Sequence, residues 1–102
     1  MAGQPIAIVG STTSGHAKCS PPTKIVKSGK NTKVFTQKKI LVATVGAITA
    51  VHGCKDDDPH TDKVTKGSGK VMIGKSPVAR QGDQLTRGAT ITSGNKQVLV
   101  GG

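Results

Sequence analysis

The chain has 102 residues, one aromatic residue and a formal net charge of +10 at pH 7. We expect a single domain over residues 1–102, with a thin core, because small domains bury a limited share of their surface. The chain has no Glu and only three Leu, against eleven Val, seven Ile and twelve Thr. Because β-branched residues favour strands over helices, this composition excludes a helical bundle and a typical α/β enzyme and predicts an all-β domain.

We expect no targeting signal at the amino terminus. Residues 1–6 lack a basic region followed by an apolar run, which predicts synthesis in the cytoplasm without a signal peptide. The longest apolar segment, residues 40–48, is shorter than the roughly 18 residues of a membrane span. In this setting the two Cys are expected to be thiols or metal ligands rather than a disulfide.

Three glycines at equal spacing indicate an internal repeat. Gly10, Gly46 and Gly82 lie 36 residues apart, and each follows an extended segment that runs into a turn. Beyond each of them, a turn rich in Gly, Ser and Lys leads into a short apolar strand, a pattern typical of hairpins. Since one such unit cannot bury its own apolar face, the three must pack together. The spacing therefore predicts a pseudo-threefold arrangement of short strands and hairpins.

All His and Cys residues of the chain fall into two clusters. The first is His16-x-x-Cys19, and the second is His52-x-Cys54 with His60 six residues further on. Imidazole and thiolate ligands together favour a tetrahedral zinc ion, and iron also suits a His-rich site. The clustering predicts one structural metal ion held by the three His and one Cys.

The repeat indicates how the His residues would converge. His16 and His52 each lie six residues beyond a repeat glycine, so the predicted symmetry would bring them together near its axis. The third equivalent position is Gly88. We therefore expect His60 to reach in from the loop after His52 and replace the missing ligand.

The two Cys compete for the fourth ligand position. Cys54 shares a strand face with His52 in an extended segment, whereas Cys19 precedes two Pro in a turn and would equally point inward. Either Cys completes a closed site of four ligands, which leaves no open position for a reacting water. With no nucleophile–base pair elsewhere, we expect that the protein is not an enzyme.

The lysines raise an alternative function, that of a basic zinc-containing module that binds nucleic acid. Lysines recur every three residues from Lys24 to Lys33, but a strand would not place them all on one face. Proteins that bind single strands add aromatic stacking platforms, and Phe35 alone cannot supply them. We therefore expect no specific nucleic-acid partner.

The last third of the chain carries the most specific pattern. Pro77, Val78, Ala79 and Arg80 are followed, after one residue, by Gly82 and Asp83. This stretch resembles the PAAR-repeat family, named for its Pro-Ala-Ala-Arg. Residues 15–23 and the His52 loop are similar to further segments of that family.

The chain departs from this family at one point. Many relatives carry Cys-Gly after the last Gly-Asp, whereas this chain has Arg87 and Gly88. The resemblance therefore implies that the fourth ligand comes from Cys19 or Cys54.

The resemblance also implies an architecture and a role. It implies a small cone with pseudo-threefold symmetry and a metal ion near its vertex. One copy would cap and sharpen a trimeric β-helical spike of a type VI secretion system or a phage baseplate, for piercing a target cell envelope. Such a tip can carry effector cargo and meets the target membrane transiently. It would be found at the tip of a virion baseplate or be secreted with the type VI spike.

Overall fold

The strands that the composition predicts are present throughout the structure. The structure is a computed structural model and describes residues 3–15, 22–29, 31–36, 39–54 and 57–101. Over these ranges the chain forms short β-strands and no α-helix, which confirms the all-β prediction, and no helix there could cross a membrane. The elements are β1 Gln4–Ile6, β2 Thr12–Thr13, β3 Thr23–Lys27, β4 Ile48–Thr49, β5 His52–Cys54, β6 Asp57–His60, β7 Met72–Ile73, β8 Ser76–Pro77, a 3-10 turn Thr86–Gly88, and β9 Asn95–Val100.

The strands pair into small antiparallel sheets. β2, β3 and β4 form one sheet in that order, while β5 pairs with β6 and β7 pairs with β8. The first and last strands also pair, with Gln4 opposite Val100 and Pro5 opposite Leu99. This pairing joins the first and last described strands, so the carboxyl-terminal segment supplies the strand that pairs with β1 in the first unit.

Three alanines form a closed ring of backbone hydrogen bonds in the core. Ala7, Ala43 and Ala79 lie 36 residues apart, and each is 0% exposed. The N–H of Ala7 donates to the carbonyl of Ala79 at 2.9 Å, that of Ala79 to Ala43 at 3.0 Å, and that of Ala43 to Ala7 at 2.9 Å. A methyl side chain lets three backbones approach this closely. Isolated bridges flank the ring at the same interval: Ile6 with Arg80, Val42 with Ile8, and Val78 with Thr44.

The repeat glycines stand directly after this ring. Gly10, Gly46 and Gly82 have φ values of +101°, +96° and +94°, a region that residues with a Cβ rarely adopt. Their N–H groups donate to the carbonyls of three buried residues at 2.7–2.9 Å, namely Ile25, Val64 and Ile91. The hydrogen bonds thus repeat at the interval of the glycines, which supports the predicted threefold arrangement. The cone shape stays a prediction.

Small and β-branched side chains fill the core around the ring. Ile25, Val64 and Ile91 are at most 1% exposed and pack with the alanines and Leu85. The one aromatic residue, Phe35, is instead 51% exposed. The core therefore relies on many small contacts rather than on a large anchor.

Polar side chains organise the beginning of three extended segments. These side chains belong to Asn31, Ser68 and Asn95. Their oxygens accept hydrogen bonds of 2.9–3.1 Å from backbone N–H groups two or three residues further on. Such side-chain turns satisfy backbone donors that no strand pairs. Asn31 and Ser68 are 1% exposed, so they also seal the core beneath the turns.

The repeat glycines offer a test of the backbone conformation. We expect Gly46→Ala to lower the free energy of unfolding by about 1–3 kcal/mol, because a Cβ is disfavoured at its φ of +96°. Space is not the cause, since no atom lies within 4 Å of the added Cβ at Gly46 or at Gly101. Gly101→Ala is therefore the control and should leave stability unchanged. If urea denaturation showed equal losses of unfolding free energy in the two variants, the positive φ at Gly46 would not be the cause.

Candidate metal centre

Two histidines face each other across a hairpin. β5 and β6 pair antiparallel with His52 opposite His60. The ring centroids lie 4.6 Å apart in an edge-on arrangement with an interplanar angle of 62°. His52 is buried and His60 is mostly buried, with side-chain exposures of 2% and 11%. His60 therefore reaches the site from a strand rather than from the loop that the sequence suggests, and strand pairing fixes its approach.

A buried carboxylate completes the group. Asp62, which is 1% exposed, follows β6, and its Oδ2 lies 2.8 Å from Nε2 of His52. Its Oδ1 lies 3.5 Å from Nε2 of His60. The backbone of Asp62 is held by Thr49 of β4, whose Oγ1 accepts its N–H at 2.9 Å and whose N–H donates to its carbonyl at 3.0 Å.

The third unit of the repeat reaches the same carboxylate from the other side. The hydroxyl of Thr86 donates to Oδ1 of Asp62 at 2.9 Å. Nε of Arg87 lies 3.8 Å from that oxygen, and φ at Arg87 is +64°. The 3-10 turn therefore supplies a hydrogen bond and a positive charge to the Asp62 side chain.

This donor set suits a metal ion. One ligand atom from each of His52, His60 and Asp62 can be chosen so that all lie within 4.8 Å of one another. Imidazole nitrogen and carboxylate oxygen are ligands that zinc and iron both accept. The three residues could therefore hold a metal ion, and the residues that contact them hold them in place.

The structure brings together two of the four predicted ligands, His52 and His60. His16 and the alternative ligand Cys19 lie outside the described residues. Cys54 ends β5 opposite Asp57, and its side chain also lies outside the described part of the chain. The choice between the two Cys stays a prediction.

Asp62 is not among the ligands predicted from the sequence. A local signal was present, because His60 and Asp62 are two residues apart and an extended chain projects such residues on one face. The contact with Thr86 is not visible in this way, since the two residues are 24 positions apart.

The Pro77 to Asp83 motif serves the fold rather than the metal centre. Arg80 forms a two-point ion pair with Asp83, with Nε to Oδ2 at 3.0 Å and Nη2 to Oδ1 at 2.9 Å. The hydrogen bond to Asp83 raises the pKa of the Arg80 guanidinium above its ordinary value. Nη1 of Arg80 also donates to the carbonyl of Gly101 at 3.2 Å. Val78 and Ala79, which lie between Pro77 and Arg80, are buried. The motif therefore connects the third unit to the segment after β9.

Metal binding should contribute measurably to folding. Elemental analysis is expected to find about one metal ion per chain. A free metal concentration of 100 times Kd adds about 2.7 kcal/mol to the free energy of unfolding. Removing the ion with a chelator should therefore lower Tm by roughly 10–20 °C. His52→Ala and His60→Ala should lose both the ion and the response to chelator. Cys19→Ser and Cys54→Ser are compared with these two variants, and the one that also loses the ion identifies the thiolate ligand. Wild-type protein that contains no metal and whose Tm does not respond to chelator would refute the site.

The ion pair of the motif should stabilise the domain independently of metal. Asp83→Ala removes the partner of a charged side chain that is 15% exposed and the acceptor of the Arg80 backbone N–H. We expect a loss of about 1.5–3 kcal/mol in urea denaturation. The neighbouring exposed residue provides the control, because Gln84→Ala removes none of these bonds. A loss no larger than that of Gln84→Ala would show that the pair is not structural.

Comparison with known proteins identifies a family whose model spans most of this chain. The family model described as PAAR motif matches residues 15–93, and a search of curated proteins found no match. The match covers well over half of the chain, including the His clusters and the Pro77 to Asp83 motif. It confirms the resemblance noted in the sequence. The chain therefore belongs to the PAAR-motif family.

Proposed function

We propose that this protein is the structural tip of a contractile injection spike. One copy would cap and sharpen the blunt end of a trimeric β-helical spike, in a type VI secretion system or a phage baseplate, for piercing a target envelope. The PAAR motif is associated with spike-tip proteins of such machines, and the family is structural rather than enzymatic. Within this chain, the support for the proposal is a set of exposed apolar side chains that recurs three times.

The observation that carries the proposal is a set of three exposed apolar side chains. Phe35, Met72 and Leu99 are 51%, 52% and 54% exposed. Each stands four residues after one of the turn-forming side chains Asn31, Ser68 and Asn95. A single exposed apolar residue is ordinary, whereas exposed apolar groups that form one patch mark interaction sites.

The strand partners of these residues reveal how the set is arranged. Phe35 pairs with Leu41, Met72 with Pro77 and Leu99 with Pro5. The partners Pro5, Leu41 and Pro77 are 36 residues apart, the interval of the alanine ring. The three apolar residues therefore occupy equivalent places, each opposite one of three equivalent residues of the repeat. We infer that they form one apolar docking face, defined as Phe35, Met72 and Leu99.

A docking face with three equivalent apolar residues suits a partner with threefold symmetry. In a trimer, each subunit presents the same patch around a threefold axis. One tip per trimer lets each subunit contact one apolar residue of the docking face, whereas a monomeric partner would leave two of them exposed. The basic residues Lys33, Lys70 and Lys96 stand close in sequence to the apolar residues and favour an acidic rim on the partner.

The metal centre would contribute stiffness to this tip. A domain whose single aromatic residue is exposed has little core to resist load, and a bound ion ties several strands together. We propose zinc as the ion, from the softness of imidazole and thiolate ligands. The protein would then reside at a virion baseplate tip or leave the cell with the type VI spike. Effector cargo and brief contact with the target membrane are further parts of this proposed role.

The docking face can be tested by co-purification with the trimeric spike protein. Replacing Phe35, Met72 and Leu99 by Ser should weaken binding by roughly 100-fold, since three contacts of about 1 kcal/mol each sum to about 3 kcal/mol and every 1.4 kcal/mol is tenfold. Tm should change little, because all three side chains are more than half exposed. The wild-type complex should contain one tip per trimer.

Val51→Ser is the matched control. Val51 is 65% exposed but does not belong to the docking face, so its replacement should leave spike binding intact. An equal loss in the control would contradict the assignment of the face. If wild-type protein ignores the spike and binds nucleic acid with a steep salt dependence, the basic nucleic-acid-binding module is the better description.

A further inference from the structure

The third unit contacts the metal centre although it provides no His. Gly88 occupies the position equivalent to His16 and His52. The two residues before it, Thr86 and Arg87, contact the carboxylate of Asp62. A unit without a ligand is thus connected to the site through a carboxylate.

We propose that Asp62 is a positioning residue of the metal centre rather than a ligand. It accepts the Nε2–H of His52 and so leaves Nδ1 of that ring as the metal-binding atom. Thr86 and Arg87 hold the carboxylate in this orientation. The inference rests on the metal centre proposed above, and it adds the choice of ring nitrogen and the role of the third unit.

The distance between His52 and Asp62 indicates a shared proton rather than a shared metal ion. Nε2 and Oδ2 are 2.8 Å apart, which is the length of a charge-assisted hydrogen bond. Two ligands of one tetrahedral zinc ion, each bound at about 2.0–2.1 Å, lie roughly 3.3 Å apart. In the proposed tautomer the proton is on Nε2, where an ionised carboxylate can accept it, and the lone pair of a neutral His52 is on Nδ1. A metal-binding His commonly donates its other ring N–H to a carboxylate in this way.

The carboxylate distinguishes the two histidines. Nε2 of His60 lies 3.5 Å from Oδ1, longer than a typical hydrogen bond. Asp62 therefore pairs principally with His52. The two imidazole rings meet at an interplanar angle of 62°.

The surroundings of Asp62 are built to hold a charged group in one place. A buried carboxylate is costly unless hydrogen bonds and charge compensate it. Oδ2 faces His52, while Oδ1 accepts the Thr86 hydroxyl at 2.9 Å and lies 3.8 Å from Nε of Arg87. With its backbone bonded to Thr49 on both sides, the side chain has little freedom to rotate toward an ion.

The test combines zinc affinity with the protonation of the His52 ring in the full chain. Zn²⁺ is titrated against a competing chelator into wild type, Asp62→Asn, Thr86→Val and Thr86→Ser. The ¹⁵N–¹H spectrum of the imidazoles in the zinc-loaded protein then distinguishes metal-bound from protonated ring nitrogens. We expect zinc bound by Nδ1 of His52 and a proton on Nε2.

The variants separate positioning from ligation. Asn keeps the shape of Asp62 and can accept from Nε2–H but lacks the charge. Asp62→Asn should therefore bind one zinc ion about 10–100-fold more weakly. Thr86→Val should weaken binding by about 10-fold, and Thr86→Ser, which keeps the hydroxyl, should restore it. Asp83→Asn, at a buried carboxylate outside the site, is the control and should leave zinc affinity unchanged.

Each alternative outcome has its own signature. Zinc on Nε2 of His52, unchanged affinity in Asp62→Asn, or loss of the zinc ion from that variant would overturn the positioning role and leave the metal centre standing. Weakening in Thr86→Ser equal to that in Thr86→Val would overturn the part assigned to the third unit. Wild-type protein that binds no zinc would overturn the metal centre and this inference together.

Discussion

The ring of hydrogen bonds among Ala7, Ala43 and Ala79 is the constraint on which the rest of the structure depends. Three backbone segments can meet at a single ring only if their side chains are small, and each is alanine with 0% exposure. Once the segments meet there, each must turn away at the same point, which is where the repeat glycines stand with positive φ. The strands that follow are then distributed around the ring, and their positions determine where the metal centre and the docking face lie.

The core contains mainly small and β-branched side chains, so this frame needs further contacts at its margins. The Arg80–Asp83 pair fastens the third unit to the carbonyl of Gly101. The carboxylate of Asp62 connects β5, β6 and the 3-10 turn. Polar groups therefore act here as cross-links between units, and a metal ion at His52 and His60 would add one more.

The equal spacing of the glycines makes the repeat predictable from the sequence. The metal centre is only partly predictable, because its contacts do not recur at that spacing. Glycine spacing and a β-branched composition were enough to indicate an all-β repeat, and the Pro77 to Asp83 motif indicated the family. His52 and His60 were identified because metal-ligating residue types are rare here and fall together. Asp62 was not, since its role depends on the register of β5 against β6 and on Thr86, which is distant in sequence.

The two functional regions proposed here differ in how far they keep the repeat, and the reason is the geometry of what each one binds. A trimeric spike imposes threefold equivalence, and Phe35, Met72 and Leu99 differ in exposure by only a few per cent. A tetrahedral ion has four ligand positions, so three identical units cannot supply a complete set by symmetry alone. The metal centre must therefore depart from the repeat. His60 enters from an added hairpin, and the third unit, with Gly88 at the ligand position, acts through Thr86 and Asp62 instead.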